Sequence, residues 1–257
     1  MGNTLTAVAR LGLPCALLTK LGTDSNGKLI LAGLQEEGID TSPIVTSAAT
    51  PSPFTYIIVD KSEATRTCIH TAMTEELLPS DVTSAVLQGA ALLHCDARMT
   101  HAAVTLAQLA RSESIPIVLD CEKDRPHFSA LLPLADYLVC NSGFAQSYMQ
   151  CDSRLEGMAA LLRLGAAKLV VSTLGAEGSV LMYEDPPWAG FDTAADTSSS
   201  SYGSGGSSTD SIPLAFKHSK YSSSSSSSTT AYSVVHCSAW PVQKSEIVDT
   251  TGAYYNA

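Results

Sequence analysis

The residues best suited to chemistry lie in two glycine-bearing turns. Val248-Asp249-Thr250-Thr251-Gly252-Ala253 places small residues after an acidic one. Such a run exposes successive backbone N–H groups, and at a helix start these make an anion site. The second turn lies within Val170-Val171-Ser172-Thr173-Leu174-Gly175-Ala176-Glu177-Gly178-Ser179-Val180-Leu181, where an apolar run enters a turn with two glycines and leaves as another apolar run. Glycine there permits positive φ or close approach of the backbone to a ligand. An ordinary hairpin has the same pattern, and either turn alone also fits a plain loop.

Other polar residues stand at the ends of apolar runs. Asp96 and Arg98 follow one, and Asp120 and Glu122 follow another, the places where α/β sheets bind ligands. The first pair fits a ligand site or a surface ion pair equally well, and the second could serve acid–base or metal work. His70, His94 and His101 have no metal-ligand spacing and read as structural, so no metal site is assigned. The seven cysteines are scattered without a CxxC pair. They read as small buried apolar residues of a reduced protein.

These residues need elements to hold them. Helical patterns cover residues 4–11 and 27–37, the latter stopped by Gly38. Two strand patterns, 54–59 and 65–70, flank a polar five-residue loop and predict a hairpin. Strand runs at 90–95, 115–120, 137–140 and 169–173 then alternate with helical stretches at 101–112 and 155–164. That alternation predicts a parallel sheet with helices on its faces.

Composition then breaks. Residues 185–232 are dominated by Ser, Gly, Thr and Asp, with serine at every position from Ser222 to Ser228. Such a stretch buries too little apolar surface to offset its conformational entropy, which predicts a disordered insertion between the two parts, 1–184 and 233–257, of one domain. The net charge of −10 opposes a sequence-independent grip on nucleic acid. Lacking both an eighteen-residue apolar stretch and a secretion-type start, the chain is expected to be cytoplasmic with no membrane partner.

In order along the chain, five motifs resemble the PfkB, or ribokinase-like, carbohydrate kinases. Asp249 to Ala253 match the first five positions of that family's Asp-Thr-Thr-Gly-Ala-Gly-Asp signature, and Thr173 to Gly178 its TLG-x-x-G nucleotide loop. Asn3 to Gly12 are similar to its early Asn-x-x-x-x-Ala-x-x-Leu-Gly helix. Leu21 to Gly27 resemble its Gly-x-Asp-x-x-Gly turn, and Glu37 to Thr41 its Glu-Gly-Val-Asp-Thr element.

The resemblance implies a three-layer αβα sandwich with a partial β-lid, the 54–70 hairpin supplying lid strands. It implies ATP-dependent phosphorylation of a hydroxyl on a small sugar or nucleoside, with Mg²⁺ and also K⁺ as cofactors. Thr173, Gly175 and Gly178 would line the nucleotide site. Gly252 and Ala253 would form the anion hole, Asn3 would approach the sugar, and Asp249 and Thr251 would hold the monovalent cation. Lid strands of the family also pair between subunits, which implies a homodimer.

Departures from the pattern bear on activity. Tyr254 and Tyr255 stand where the family has Gly-Asp; a phenol titrating near pH 10 is a poor general base beside a carboxylate. No residue is therefore assigned as the catalytic base. Phe144 stands where many members have the Glu of an Asn-x-x-Glu element that organises Mg²⁺. The family's first strand and part of its lid have no counterpart before Gly2, so the chain reads as truncated at both ends. The leading expectation is a carbohydrate kinase, and the alternative is a non-catalytic nucleotide- or sugar-binding protein that uses the serine-rich segment for interaction.

Overall fold

The computed structural model describes residues 2–184, apart from 61 and 64, and residues 216–239, apart from 226 and 227. These fall into two compact units, one ending at Gln88 and the other beginning at Gly89.

The first unit holds α1 (Gly2–Arg10), β1 (Lys20–Gly22), α2 (Ser25–Glu36), β2 (Val45–Ser47), β3 (Phe54–Asp60) and β4 (Thr65–Thr71). Asp24 caps α2 by accepting from Gly27 N–H at 2.8 Å, satisfying a donor that a helix start leaves orphaned. At the other end Gly38 takes φ +77. Its N–H donates to Gln35 O (3.0 Å) while Ile39 N–H donates to Leu34 O (3.1 Å), a Schellman closure. Ile39, so placed, packs with Leu17 and Leu34 in a small core that Leu5, Ala9, Cys15, Ile30 and Ile44 cover. The Glu-Gly-Ile-Asp motif is thus a helix stop that returns a side chain to the core. β1 and β2 pair in parallel, and β3 and β4 form the expected antiparallel hairpin with Phe54 opposite Thr71.

The second unit is built on a seven-stranded sheet in the order β10-β11-β9-β8-β7-β6-β5. Its strands are β5 (Leu93–Asp96), β6 (Ile117–Cys121), β7 (Tyr137–Cys140), β8 (Leu169–Thr173), β9 (Ser179–Glu184), β10 (Phe216–Ser225) and β11 (Ser228–Cys237). The helices are α3 (Thr100–Ser112), α4 (Phe128–Leu131), α5 (Phe144–Met149) and α6 (Arg154–Leu162). Alternate strand residues such as Ile117, Leu119, Leu138, Val170, Val180 and Met182 are buried, as are Phe128, Leu131, Met158 and Leu161 of the helices. Full burial of one such side chain stabilises by about 1.5–3 kcal/mol.

β5 to β8 pair in parallel, as the strand–helix alternation predicts, and beyond them β9 returns against β8, with β11 and β10 following in antiparallel pairs. A short turn after β8 cannot cross to a parallel neighbour, so it reverses the chain. A correction concerns the serine-rich segment. Disorder was expected up to residue 232, yet Ser222 to Ser225 and Ser228 to Tyr232 are in strands. Tyr232 and Val234 are fully buried there, and Tyr232 OH accepts from Arg163 Nη1 at 3.0 Å.

At the edge where the parallel strands begin, Asp136 is buried but fully paired. Its Oδ2 accepts from Ile117 N–H (3.0 Å), and its Oδ1 meets Arg111 (3.2 Å) and Lys168 (3.1 Å). A buried carboxylate survives only with such partners. All seven cysteines are free. Cys95, Cys121 and Cys140 are buried as expected, whereas Cys68 is exposed on β4, contrary to the general reading.

Candidate functional site

Register fixes what meets at the edge where the parallel strands end. Asp96 lies opposite Asp120, Cys121 opposite Cys140, and Cys140 opposite Ser172. The residues that follow these strands therefore share one rim, the usual ligand edge of an open α/β sheet.

Thr173 closes β8, and its Oγ1 donates to Cys140 O at 3.3 Å. A single helical turn, Gly175–Glu177, follows. Leu174 N–H donates to Gly178 O (2.7 Å) and Gly178 N–H to Gly175 O (3.0 Å). The two glycines have different reasons to be glycine. Gly178 has φ +94, and a Cβ there would collide with Cys237 O and lie 2.7 Å from Ala239 N. Gly175 has φ +60 with open space where a Cβ would be. Gly178 holds the turn against the end of β11, and Gly175 leaves bare backbone on the rim.

Asn141, directly after β7, ties neighbouring loops together. Its Nδ2 donates to Glu122 O (2.9 Å), and its Oδ1 accepts from Gly143 N–H (3.1 Å) and Phe144 N–H (3.0 Å). Phe144 is buried, edge-on to Phe128 (5.7 Å) and stacked on Tyr148 (5.2 Å). Phe144 thus anchors the loop after β7 through apolar packing. Glu122, Asp124, Asn141, Ser147 and Tyr148 line a cavity of about 800 Å³. Asp124 and Tyr148 were not singled out from sequence, although Asp124 sits only two residues beyond Glu122 past a strand end.

Burial, then the charges of Glu122 and Asp96, push the Asp120 carboxyl up to about 6. Asp96 Oδ1 accepts from Arg98 backbone N–H at 3.0 Å, so this contact is a turn and does not use the guanidinium. His101 stacks on His127 with centroids 4.4 Å apart, and Thr55 Oγ1 meets His70 Nδ1 at 3.0 Å across the hairpin. Burial lowers His94. Burial, and then a hydrogen bond with Cys140, holds the Cys121 thiol well above its ordinary range, which leaves it inert as a nucleophile. No group of three or more His, Cys, Asp or Glu suited to a metal ion occurs among the described residues.

Asn3 is exposed on α1, in the first unit. Asp249, Thr251, Gly252, Ala253 and Tyr255 lie outside the described residues.

Residues 2–189 match the pfkB family of carbohydrate kinases. The chain belongs to that family. Its sheet accordingly has the ribokinase-like α/β sandwich arrangement. Among relatives of this pfkB-family chain is a bifunctional ribokinase/ribose-5-phosphate isomerase A of Fructilactobacillus sanfranciscensis, 22% identical over 71% of this chain and 35% of the relative. Solved structures include a PfkB protein from Polaromonas sp. JS666, 26% identical with a TM-score of 0.61 over 70% of this chain and 67% of that one. A fructokinase with bound ATP from Xylella fastidiosa is 19% identical with a TM-score of 0.61 over 70% of this chain and 61% of that one. The pfkB-family chain thus spans about a third of the bifunctional relative's length. No helix among the described residues is long and apolar enough to cross a membrane.

Proposed function

We propose that this chain transfers the terminal phosphoryl group of ATP to a hydroxyl of a small sugar or nucleoside. The observation that carries the reading is the bare backbone at Gly175, on the ligand rim of the sheet, in a chain of the pfkB family. Phosphoryl transfer needs positioning and charge stabilisation more than covalent chemistry. Thr173, Gly175 and Gly178 would hold the nucleotide, and the backbone N–H groups of Gly252 and Ala253 would face the transferred phosphoryl group. Asn3 would bind the sugar, while Asp249 and Thr251 would take K⁺. Mg²⁺ bound with ATP supplies charge neutralisation, and Asp120 and Glu122 supply carboxylates of the type it prefers.

The weak member is Tyr255, at the family's general-base position. A positioned base contributes about 10²–10⁴-fold, so Tyr255→Asp, combined with Tyr254→Gly, is expected to raise transfer across a panel of sugars and nucleosides at least a hundredfold. No transfer by either folded protein would sink the reading. The Tyr-Tyr pair itself favours a second reading, a non-catalytic nucleotide- or sugar-binding protein with the serine-rich segment as an interaction element. Calorimetry with a non-hydrolysable ATP analogue separates the two, since binding without turnover in the double variant supports the second. The exposed Tyr56, Ile58 and Ile69 of β3–β4 suit pairing with a second copy. Sedimentation of Ile58→Asp, monomeric against a dimeric parent, tests that.

A further inference from the structure

Register divides the β3–β4 ladder into two faces. Side chains alternate across a strand, so Tyr56, Ile58 and Ile69 share one face, while Thr55, Ile57, Val59, Cys68 and His70 share the other. On that second face Thr55 lies opposite His70, and Ile57 opposite Cys68. Every residue of β4 is exposed, and Cys68 is the one exposed cysteine of the seven. A thiol and an imidazole two residues apart on a strand have Cα atoms about 7 Å apart, within reach of one metal ion. Zinc takes Cys sulfur at about 2.3 Å and His nitrogen at about 2.0–2.1 Å.

The imidazole is already oriented. Thr55 Oγ1 meets His70 Nδ1 at 3.0 Å across the ladder. With the Nδ1 proton donated to that hydroxyl, Nε2 on the far side of the ring keeps its lone pair. A second hydrogen bond of this kind, from the ring nitrogen that does not ligate, is the support that metal-binding histidines carry. One chain supplies two ligands here, and no group of three or more occurs among the described residues, whereas a structural zinc takes four in a tetrahedron. A two-fold axis repeats every contact, so the same pair from a second copy would complete the set. Sheets packed face to face stand about 10 Å apart, a gap that side chains from both copies can span with the metal midway. Two thiolates cancel the charge of Zn²⁺. The completed site is therefore neutral, and its apolar flanks, Ile57 at 39% and Val59 at 48% exposure, are covered without burying an unpaired charge.

We propose that Cys68 and His70 are half of a Cys₂His₂ zinc site, completed by the same two residues of a second copy, with Thr55 as the residue that positions the imidazole. On binding, each thiol gives its proton to solvent and each sulfur gives a lone pair to the metal. The site lies outside the kinase reading and stands or falls without it.

Zinc titrated into the full chain carrying Ile58→Asp, which closes the opposite face to association, tests the site by sedimentation. The chain is expected to be monomeric without zinc and dimeric with it, at one zinc per two chains. Cys68→Ser and His70→Gln, both at exposed positions, are each expected to abolish the zinc-driven dimer, and Thr55→Val to weaken zinc binding about 10–100-fold. Cobalt in place of zinc is expected to give the parent protein a thiolate-to-metal charge-transfer band that Cys68→Ser lacks, a readout that holds even if Ile58→Asp fails to fold. The proposal is overturned by a zinc-driven dimer that persists in Cys68→Ser, or by one zinc per chain without association. A parent protein without the cobalt band, or a band that Cys68→Ser retains, overturns it equally.

Discussion

Asp120 is folded at a cost. The folded chain holds its proton up to about 6, against 3.8 for an ordinary Asp, so the native state binds the proton more tightly than the unfolded one. Stability from this group is therefore greatest below 3.8 and falls as pH rises to about 6. For a half-buried side chain that solvent partly screens, the penalty at pH 7 is on the order of 1–2 kcal/mol. Asp120→Asn is expected to regain that amount in urea denaturation at pH 7 and to change little at pH 4. A residue retained against such a cost, on the ligand rim, is a candidate for function. Its place past a strand end was legible in the sequence. Its perturbation was not, because that comes first from burial within the folded chain and then from Glu122 and from Asp96, the last brought opposite it only by the pairing of β5 with β6.

At the scale of elements, local signals were legible and long-range ones were not. Tyr137–Cys140 and Leu169–Thr173 occupy the bounds their apolar runs predict, and the β3–β4 hairpin follows its alternation and turn. β10 and β11 escaped because serine has little strand preference of its own. β11 is ordered by pairing with β9, some fifty residues away, and by burial of Tyr232 and Val234, and β10 by pairing with β11. The reason for Gly178 was hidden likewise, since the atoms that forbid a side chain there belong to Cys237 and Ala239. Gly178→Ala is expected to cost about 2–4 kcal/mol through collision and positive φ. Gly175→Ala is expected to cost about 1 kcal/mol and to weaken ATP binding more than stability, as thermal melts and calorimetry would show. Tyr232→Phe, losing the hydrogen bond from Arg163, is expected to cost about 1 kcal/mol.

Across the whole molecule the shifted groups respond to acid with different signs. In the first, Asp24 is held below the usual range by Ser52 and the N–H of Gly27, Asp40 by Ser42, and Glu37 by Arg10. Their stabilisation is fully present above the unfolded values of 3.8 and 4.5 and is lost as pH falls through the lower folded values. In the second unit, Asp120 adds stability as pH falls from about 6 to 3.8, whereas His94, held below its ordinary 6.5 by burial, loses it as pH falls below that value. Hydrogen exchange followed from pH 6 to pH 3 is expected to show the first unit loosening only below about pH 4, and Asp120→Asn to remove the part of the second unit's protection that Asp120 adds between pH 6 and 4.

The pairing of β11 has one more consequence. It meets β9 only from Tyr232 to Cys237, while its pairing with β10 runs on to Ser225 opposite Ser228. The serine end of this hairpin therefore overhangs the sheet, touching none of the β9 ladder. A serine added to or removed from each strand at that end would leave every residue of the sheet behind it in register, so the length of the tract is set apart from the fold that carries it.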